Sequence, residues 1–551
     1  MFVCGCCGEL FETADRKQPG NCPHCGCKPP LQHTAKRNKA TCKHCDHPVR
    51  YPGKGVPQHR LFAIEYHCEC HSQRAGKAKG RLFKAPDRAD LDNYAEAARR
   101  LQSIAPSFIP DDAIPRGDET DRLHRWGFKH YKDMFNARQL LGLELSCRWI
   151  AGKCGGRVQE ALATNLSDLT RYQNMLCRYD TMALKSLDVF SVHGFPIGLI
   201  QCESNLLGIT GKNGAPVGSG GWLNITEKFS KAKRYCSAPF EVRHDGLRKT
   251  EVPIVGEWIG MSRNGCRPPE EREIQLTCAD SASSPKDGPA FDAVFTDPPY
   301  FGNVQYAELM DFCYVWLRKL MDGRFQEFSN RSTRHHNELT GNTTMGRGLD
   351  HFAEGISATL RRSVENLKPG RPLAFTYHHN QLDAYLPLAV ALFDAGLVCS
   401  ASLPCPAEMG ASIHINGTGS SIVDTVFVCR STGSFPKRWL AHDAKGVAPI
   451  IQEDLKMLAD GGLKATQGDI RCICCGHLTR LAIWNLRSRW DAKIEVSKRM
   501  GIVQRWFCDF GGLGAVLEAL ESNFASAERA QRWDAGEVLK ESHDTDDEIS
   551  F

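Results

Sequence analysis

The chain has 551 residues, of which 24% are charged, and a formal net charge of +5. This length allows several domains and a large hydrophobic core. No apolar run approaches the ~20 residues of a membrane helix, and the first residues lack the charged and apolar regions of a signal peptide. These features argue against a secreted or membrane protein, and we expect a cytoplasmic protein without membrane contact.

The charge is concentrated at the N-terminal end. Residues 1–90 contain 16 Lys and Arg against 8 Asp and Glu, a surplus of 16 − 8 = 8 that exceeds the net charge of the whole chain. A basic end on a nearly neutral body is typical of phosphate contact, and it also occurs on ordinary solvated domains. Both interpretations remain open from composition alone.

The 25 cysteines include close pairs near the N-terminus. Cysteine pairs in a cytoplasmic protein indicate metal binding rather than disulfides. Each of the first two pairs is followed by glycine, which allows a tight turn around tetrahedral zinc. The predicted ligands are Cys4, Cys7, Cys22 and Cys25, and two neighbouring thiols could substitute for them, Cys6 and Cys27.

A second zinc site is predicted from Cys42, Cys45, Cys68 and Cys70. The spacing of the second pair is one residue short, so His67 or His71 could complete the set instead. Between the pairs, residues 60–66 have the composition of a strand. Small modules of this kind depend on the metal for folding, and we interpret residues 1–85 as zinc-ribbon modules.

Residues 86–270 are predicted to be a mostly helical insertion for target recognition. A helix is expected over residues 91–101 with Asp90 as its N-cap, and further helices are expected over residues 157–190. A glycine-rich segment at 208–221 has no lysine–serine pair at its end, so we expect an insertion rather than a phosphate-binding loop.

The sequence Asp297-Pro298-Pro299-Tyr300 follows a short apolar run at 293–295. This pattern predicts a buried strand that ends in a rigid loop at the carboxyl edge of a sheet. A carboxylate, the Pro298 carbonyl and an aromatic face suit an exocyclic amino group on a planar base, since the two oxygens can accept both N–H groups. We therefore predict these four residues as the catalytic site.

The motif and its flanks resemble the zinc-ribbon-containing adenine-specific DNA methylases, which use S-adenosylmethionine and carry a (D/N/S)-P-P-(Y/F) signature. The similar segments are residues 121–143, 296–320 and 417–430, within a likeness that runs from about residue 20 to about residue 430. The resemblance implies an α/β fold with a Rossmann-like methyltransferase sheet. It also implies DNA as partner and S-adenosylmethionine and Zn²⁺ as cofactors, with Phe135, Arg138 and Gln139 lining the methyl-donor site.

The glycine-rich donor-binding motif of the family is not found at its expected place, which lies N-terminal to the first zinc ribbon. The sequence DFGGLGA at 509–515 is similar on paper, but we interpret it as a turn into a C-terminal helix. Three explanations stay open: a second polypeptide supplies the motif, the sequence is truncated, or the enzyme is degenerate. The methyltransferase sheet is therefore predicted to be incomplete.

The predicted catalytic core spans residues 271–432. It includes an amphipathic helix at 353–367, strands at 373–377, 397–401 and 422–428, and a helix near 381–396. Polar residues 331–347 are expected to form an exposed loop. Residues 433–551 form a C-terminal region in which Cys472 and Cys475 make at most half a metal site, and the acidic residues 541–551 are expected to be disordered.

Transfer of a methyl group to adenine N6 of DNA is the predicted activity. One alternative is a related transfer to RNA or to cytosine N4, because those enzymes use similar loops. Another is a zinc-ribbon subunit that binds nucleic acid and carries an inactive methyltransferase-like core.

Overall fold

A computed structural model describes most of the chain. The described residues are 2–4, 9–11, 13, 15, 18–27, 39–41, 48–50, 55–68, 80–181, 183–198, 200–211, 214–245, 248–256, 275–284, 288–302, 304–406, 422–533 and 548–550. The protein is of the mixed α/β class, with many helices and small sheets. Among the helices in these ranges, none combines the length and the apolar composition needed to cross a membrane.

The chain divides into two compact units, and the first contains residues 1–275 and 306–335. Its helices are α1 Arg88–Ser103, α2 Thr120–Arg125, α3 Ala137–Lys153, α4 Gly156–Thr170, α5 Trp222–Ser237 and α6 Tyr306–Leu320. Its strands are β1 Phe2–Val3, β2 Leu10–Phe11, β3 Lys39–Thr41, β4 Pro48–Arg50, β5 Ile64–His67, β6 Arg81–Lys84, β7 Tyr179–Asp180, β8 Lys185–Ser186, β9 Ile209–Thr210, β10 Pro216–Val217, β11 Phe240–Asp245 and β12 Arg248–Pro253. These strands pair successively as antiparallel two-stranded hairpins.

Helix α1 begins earlier than the sequence predicts, because its N-cap is Asp87 rather than Asp90. The Asp87 side chain accepts the Asp90 N–H at 3.0 Å, and the Asp90 carboxylate accepts the Asp87 N–H at 2.9 Å. Two acids three residues apart thus form a capping box. The prediction of Asp90 as N-cap is wrong, since Asp90 is the reciprocal partner in that box.

The helices predicted over 157–190 are correct only for α4, which ends at Thr170. The Asn174 amide donates to the Thr170 carbonyl at 2.9 Å, and its oxygen accepts the Leu176 N–H at 2.9 Å. An asparagine that bonds neighbouring backbone groups in this way competes with helix continuation. Beyond it the chain forms the short strands β7 and β8 instead.

Aromatic side chains form the centre of the first unit. Phe135 stacks on Phe312 with ring centroids 5.5 Å apart and planes 3° apart, and Trp316 meets Phe135 edge-on at 5.5 Å. Phe190 and Phe195 also pack against Phe312. Offset and edge-on pairs of this kind stabilise a core beyond the burial of their area, so the aromatic spacing of α6 serves packing.

Glu144 on α3 is fully buried and ties the preceding linker to the helix. Its carboxylate accepts the N–H groups of Ser107 and Phe108, both at 2.8 Å, that of Ile109 at 3.1 Å, and the Arg148 Nε at 2.7 Å. Burial opposes its ionisation, but the Ser107 N–H and the Arg148 guanidinium outweigh burial and lower the pKa of Glu144.

Replacement of Glu144 by glutamine is expected to lower the free energy of unfolding by about 2 kcal/mol at neutral pH, because hydrogen bonds to a charged group are lost. The folded-state pKa lies below the unfolded value of about 4.3. The stabilisation is therefore complete above that value and disappears as pH falls through the lower folded-state pKa. Urea unfolding at pH 7 and at low pH measures this difference. Glu96→Gln, on an exposed residue, is the control, and an equal loss at both pH values would contradict the interpretation.

The second unit contains residues 276–305 and 336–551. Its helices are α7 Leu349–Glu365, α8 Leu386–Asp394, α9 Ala444–Asp460, α10 Gln467–Leu486, α11 Val496–Asp509 and α12 Gly512–Trp533. Its strands are β13 Val294–Thr296, β14 Leu373–Tyr377, β15 Val398–Pro406, β16 Val423–Arg430, β17 Ser434–Pro436 and β18 Glu548–Ser550.

Four of these strands form one sheet in the order β13-β14-β16-β15. Strands β13 and β14 are parallel, whereas β16 is antiparallel to both β14 and β15. The strands predicted at 373–377, 397–401 and 422–428 are confirmed as β14, β15 and β16, and the amphipathic helix at 353–367 is confirmed as α7. The sheet places the end of β13 beside the end of β14.

The C-terminal helices share one hydrophobic core with this sheet. Helix α10 packs against β15 and β16, and α9 and α12 pack against each other. Ile473 and Leu478 of α10 are buried together with Phe375 and Phe427 of the sheet. Cys472 and Cys475 lie on α10 as buried thiols.

Three expectations about irregular segments need correction. The segment 331–347 is not uniformly exposed, because Thr340, Asn342 and Arg347 are buried, and the Asn342 amide donates to Gln305 Oε1 at 2.8 Å. The acidic end is not wholly disordered, because β18 pairs with β17. After the glycine-rich segment at 509–515 the sequence predicts only about ten residues of helix, whereas α12 extends over 22 residues.

Candidate active site and metal centre

The strand β13 leads directly into Asp297-Pro298-Pro299-Tyr300, as the sequence predicts. The prediction that this strand is buried is wrong, because Val294 is half-buried and Phe295 and Thr296 are exposed. Its parallel neighbour β14 ends at Tyr377, so Asp297 and the residues after Tyr377 lie at the same carboxyl edge of the sheet. This edge is where open α/β sheets bind ligands. Asp297 is exposed, and Tyr300 is half-buried.

The Asp297 carboxylate is oriented by two hydroxyl groups that reach the same oxygen. Thr376 Oγ1 donates to Oδ1, and the Tyr300 hydroxyl donates to it at 3.3 Å. Within the described part of the chain, no hydrogen bond is made to Oδ2. The carboxylate therefore keeps one oxygen for a ligand.

The Tyr300 ring is held by its neighbours. It meets Tyr377 edge-on with centroids 5.2 Å apart, and it lies beside the His378 ring at 6.5 Å and 33°. Burial and the nearby Asp424 raise the pKa of the Tyr300 phenol. The phenol is therefore neutral at physiological pH and can donate to Asp297.

His378 is a residue of this edge that the sequence analysis missed. Its Nδ1 lies 3.0 Å from the Val423 carbonyl, 3.3 Å from Asp424 Oδ1 and 4.0 Å from Cys472 Sγ. Its position directly after a predicted strand was a usable signal. The partners on β16 and α10 lie 45 or more residues away in sequence, so no local sequence pattern predicts these contacts.

Cys472 is the buried member of the cluster that His378 forms with Asp424 and Cys472. Its sulfur lies 3.5 Å from the Tyr385 hydroxyl and 3.5 Å from Thr425 Oγ1. Burial alone would raise the pKa of this thiol, but the neighbouring His378 outweighs burial and lowers it. The thiol thus supports the positive charge of His378, and among the described residues it does not belong to a group of three metal-ligating side chains.

The three residues predicted for the methyl-donor site lie in the first unit. Phe135 is buried in its aromatic core. Arg138 forms a two-pronged ion pair with Glu203, at 2.7 Å and 2.9 Å, and its guanidinium lies 5.3 Å from the Tyr94 ring centroid. Gln139 uses Oε1 to accept the Asn136 N–H at the start of α3.

Two features of this region bear on ligand binding. Asn136 also donates to Glu203 at 2.8 Å, so Glu203 connects the start of α3 to the segment around residue 203. The side chain of Gln139 is 1% exposed and its Nε2 makes no hydrogen bond to the described residues. A buried donor without a partner costs free energy, and a ligand reaches Nε2 only if the residues that cover it move.

Glu203→Gln is expected to lower the free energy of unfolding by about 1 kcal/mol. The effect is small because about half of the Arg138 side chain faces solvent, which screens its ion pair with Glu203. Thermal unfolding at low and high salt measures the effect, which should shrink as salt rises. Glu227→Gln, at an exposed pair with Lys231 on α5, serves as the matched control. A melting temperature unchanged by Glu203→Gln would show that the ion pair of Arg138 and Glu203 does not stabilise the fold.

The first predicted zinc site is partly assembled. The sulfur atoms of Cys4, Cys22 and Cys25 all lie within 4.8 Å of one another, and Cys4 and Cys25 are 3.7 Å apart. The Cys4 N–H donates to the Glu9 carbonyl at 2.9 Å, and Gly26 has φ +71° where it turns behind Cys25. Three thiolates at these distances fit a tetrahedral zinc ion; Cys7 lies outside the described residues.

The second predicted zinc site falls largely outside the described residues, which omit Cys42, Cys45 and Cys70. Strands β3 and β4 pair through Thr41 and Pro48, on either side of the first cysteine pair. Cys68 directly follows β5, and its N–H donates to the Gly80 carbonyl at 2.7 Å. The predicted ligand set of this site stays a prediction.

The glycine-rich segment at 509–515 follows helix α11 and opens helix α12. A donor-binding glycine turn needs a strand before it, so this segment is the helix connection that the sequence analysis favoured.

Comparison of the chain with protein-family models, with curated proteins and with solved structures finds no match.

Proposed function

We propose that this chain is the catalytic and zinc-ribbon part of a DNA methyltransferase that transfers a methyl group from S-adenosylmethionine to adenine N6. The observation that carries the proposal is the Asp297 carboxylate, which Thr376 and Tyr300 orient through one oxygen while Oδ2 stays open. The carboxylate follows a strand in a mixed sheet and is followed by two prolines and an aromatic ring. This arrangement suits an amine on a planar base.

Asp297 and the Pro298 carbonyl would act on the target amine. The lone pair of an adenine amine is delocalised into the ring, so the nitrogen is a weak nucleophile. Hydrogen bonds from its two N–H groups to Asp297 Oδ2 and the Pro298 carbonyl favour a tetrahedral nitrogen with a localised lone pair. The new N–C bond would replace the S–C bond of the donor, whose sulfur keeps the electron pair, and Asp297 Oδ2 would accept the proton that the methylated nitrogen loses. Positioning and a fixed negative charge supply most of the rate in this mechanism. S-adenosylmethionine, when bound, supplies an electrophilic methyl group.

The base would have to leave the DNA duplex, because an amine inside the stack cannot reach this loop. The Tyr300 ring offers a face on which an extruded base can stack. The basic N-terminal segment gives a second contact with DNA through phosphates.

The order of the sheet supports the incomplete donor half that the resemblance implies. The antiparallel strand β16 lies between β14 and β15, and β13 is at the other end of the sheet. Here β13 pairs with β14 alone among the described residues.

One face of β13 also exposes an apolar ring. Phe295 is 77% exposed, whereas Val294 on the opposite face packs against the core. Parallel strands are normally covered on both faces. The glycine turn at 218–221 follows β10, a two-residue strand of an isolated hairpin. That hairpin is not the donor-binding half of a methyltransferase sheet, and β13 has β14 as its one partner strand among the described residues. We therefore propose that a second polypeptide adds the donor-binding half-sheet along β13.

Titration calorimetry with S-adenosylmethionine tests this function. The isolated chain is expected to bind no donor, and addition of the polypeptide encoded beside it is expected to restore binding. Phe295→Asp should abolish the restored binding without loss of folding, because Phe295 faces solvent; Phe325→Asp, at an exposed phenylalanine of the first unit, should not. If no polypeptide encoded beside this chain restores binding of S-adenosylmethionine, the result would favour an inactive core that binds nucleic acid.

A further inference from the structure

His378 is fixed through one of its two ring nitrogens. The Val423 carbonyl at 3.0 Å can only accept a hydrogen bond, so Nδ1 carries a hydrogen. Asp424 Oδ1 at 3.3 Å and Cys472 Sγ at 4.0 Å surround the same atom. Three acceptors on one nitrogen determine both the tautomer and the orientation of the ring.

The other nitrogen is presented outward. Within the described part of the chain, no hydrogen bond is made to His378 Nε2, and the side chain is 24% exposed. The ring lies beside Tyr300, whose hydroxyl bonds Asp297. Nε2 is therefore a free polar atom at the edge that carries the candidate catalytic loop.

The ring also carries a positive charge. Burial disfavours that charge, but the hydrogen bond to Asp424 and the interaction with Cys472 raise the pKa of His378 to about 10. The groups that face the ring are Asp424 from β16, Cys472 from α10, Tyr300 from the loop and His379 next in sequence, whose own pKa burial lowers. At neutral pH His378 is then an imidazolium with Nε2–H as a charged donor.

We propose that His378 Nε2–H binds a phosphate oxygen of the nucleotide whose base is extruded onto Tyr300. The inference rests on the proposed methyltransferase function and assigns a substrate-binding residue to it. Asp297 and the Pro298 carbonyl are acceptors and suit the amine. The site then needs a cationic donor for the anionic end of the same nucleotide, and His378 is a charged donor on this edge whose geometry is fixed. Asp424 and Cys472 act through His378 as positioning residues.

The test uses the full chain and two short DNA duplexes, one fully paired and one with a single unpaired adenine, which extrudes at low cost. Fluorescence anisotropy without methyl donor measures both affinities. The wild type is expected to prefer the unpaired adenine. His378→Ala should lower the ratio of the two affinities about tenfold. It should also reduce the slope of log affinity against log salt concentration by about 1. His379→Ala should leave both quantities unchanged. The loss should be similar at about pH 6 and about pH 8.5, where an ordinary histidine of pKa about 6.5 would change charge.

Two further variants guard against misfolding. His378→Gln keeps a hydrogen-bond donor but not the charge, and it should retain part of the preference for the unpaired adenine. Asp424→Asn should weaken that preference. Thermal unfolding of each variant shows whether it is folded. A preference that survives in His378→Ala with an unchanged salt slope overturns the inference alone. Absence of any preference in the wild type overturns the proposed function, and the inference falls with it.

Discussion

Replacement of Asp297 by asparagine is expected to lower the rate of methyl transfer by roughly a hundredfold to a thousandfold, the usual cost of removing one fixed electrostatic contact from an active site. Asparagine keeps the shape of the side chain and can still accept from Thr376. It lacks the negative charge, and its amide can place a donor where the target amine needs an acceptor. The measurement is transfer of labelled methyl groups to DNA by the chain together with its partner.

A nearby acid supplies the control for this variant. Asp292 precedes β13, is exposed, and pairs with Lys368 at 3.0 Å; the same pairing lowers its pKa. Asp292→Asn removes the same charge from a neighbouring position but should leave the transfer rate within about twofold, because an exposed ion pair contributes little. DNA affinity should be unchanged in both variants. An Asp297→Asn protein with the wild-type rate would remove the loop from the mechanism.

Replacement of Cys25 by serine is expected to release one equivalent of zinc and to unfold the N-terminal module. The Cys25 thiol lies with those of Cys4 and Cys22 in a cluster that fits tetrahedral zinc. Structural zinc supplies roughly 10–16 kcal/mol of apparent binding free energy in small modules, so loss of a ligand removes most of the stability of this end. Metal analysis and limited proteolysis of residues 1–85 would measure the change.

The control for the zinc variant is Cys508→Ser, at an exposed cysteine of α11 outside the cluster. Its zinc content and proteolysis pattern should equal those of the wild type. Chelation of the wild-type protein should reproduce the Cys25→Ser pattern at the N-terminal end and leave the second unit intact. Retention of full zinc stoichiometry by Cys25→Ser would show that other thiols hold the ion.

Local patterns predicted the catalytic half of the sheet well. The run before Asp297 and the run at 373–377 are short, apolar and bounded by turn residues, and both are strands. Residues are buried at every second position of β16, an alternation that is typical of a strand. Rigid proline and the position after a strand placed Asp297 at the sheet edge.

Contacts between distant segments could not be predicted. The His378 cluster joins residues from β14, β16 and α10, and the pair of Arg138 with Glu203 joins positions 65 residues apart. Asn174 ended the helical pattern of 157–170 through bonds of its side chain to backbone groups. Asp87 and Asp90 are both of a residue type that caps helices. Which of them is the N-cap of α1 depends on the geometry of the capping box, which the sequence does not contain.

Nucleoside mass spectrometry of host DNA, from cells that carry the wild-type chain or Asp297→Ala, tests the proposed methyl transfer. We expect N6-methyladenine with the wild type, in amounts that depend on the partner, and none above background with Asp297→Ala. Equal levels of modified adenine in the two strains, or none in the wild type when the partner is present, would contradict it.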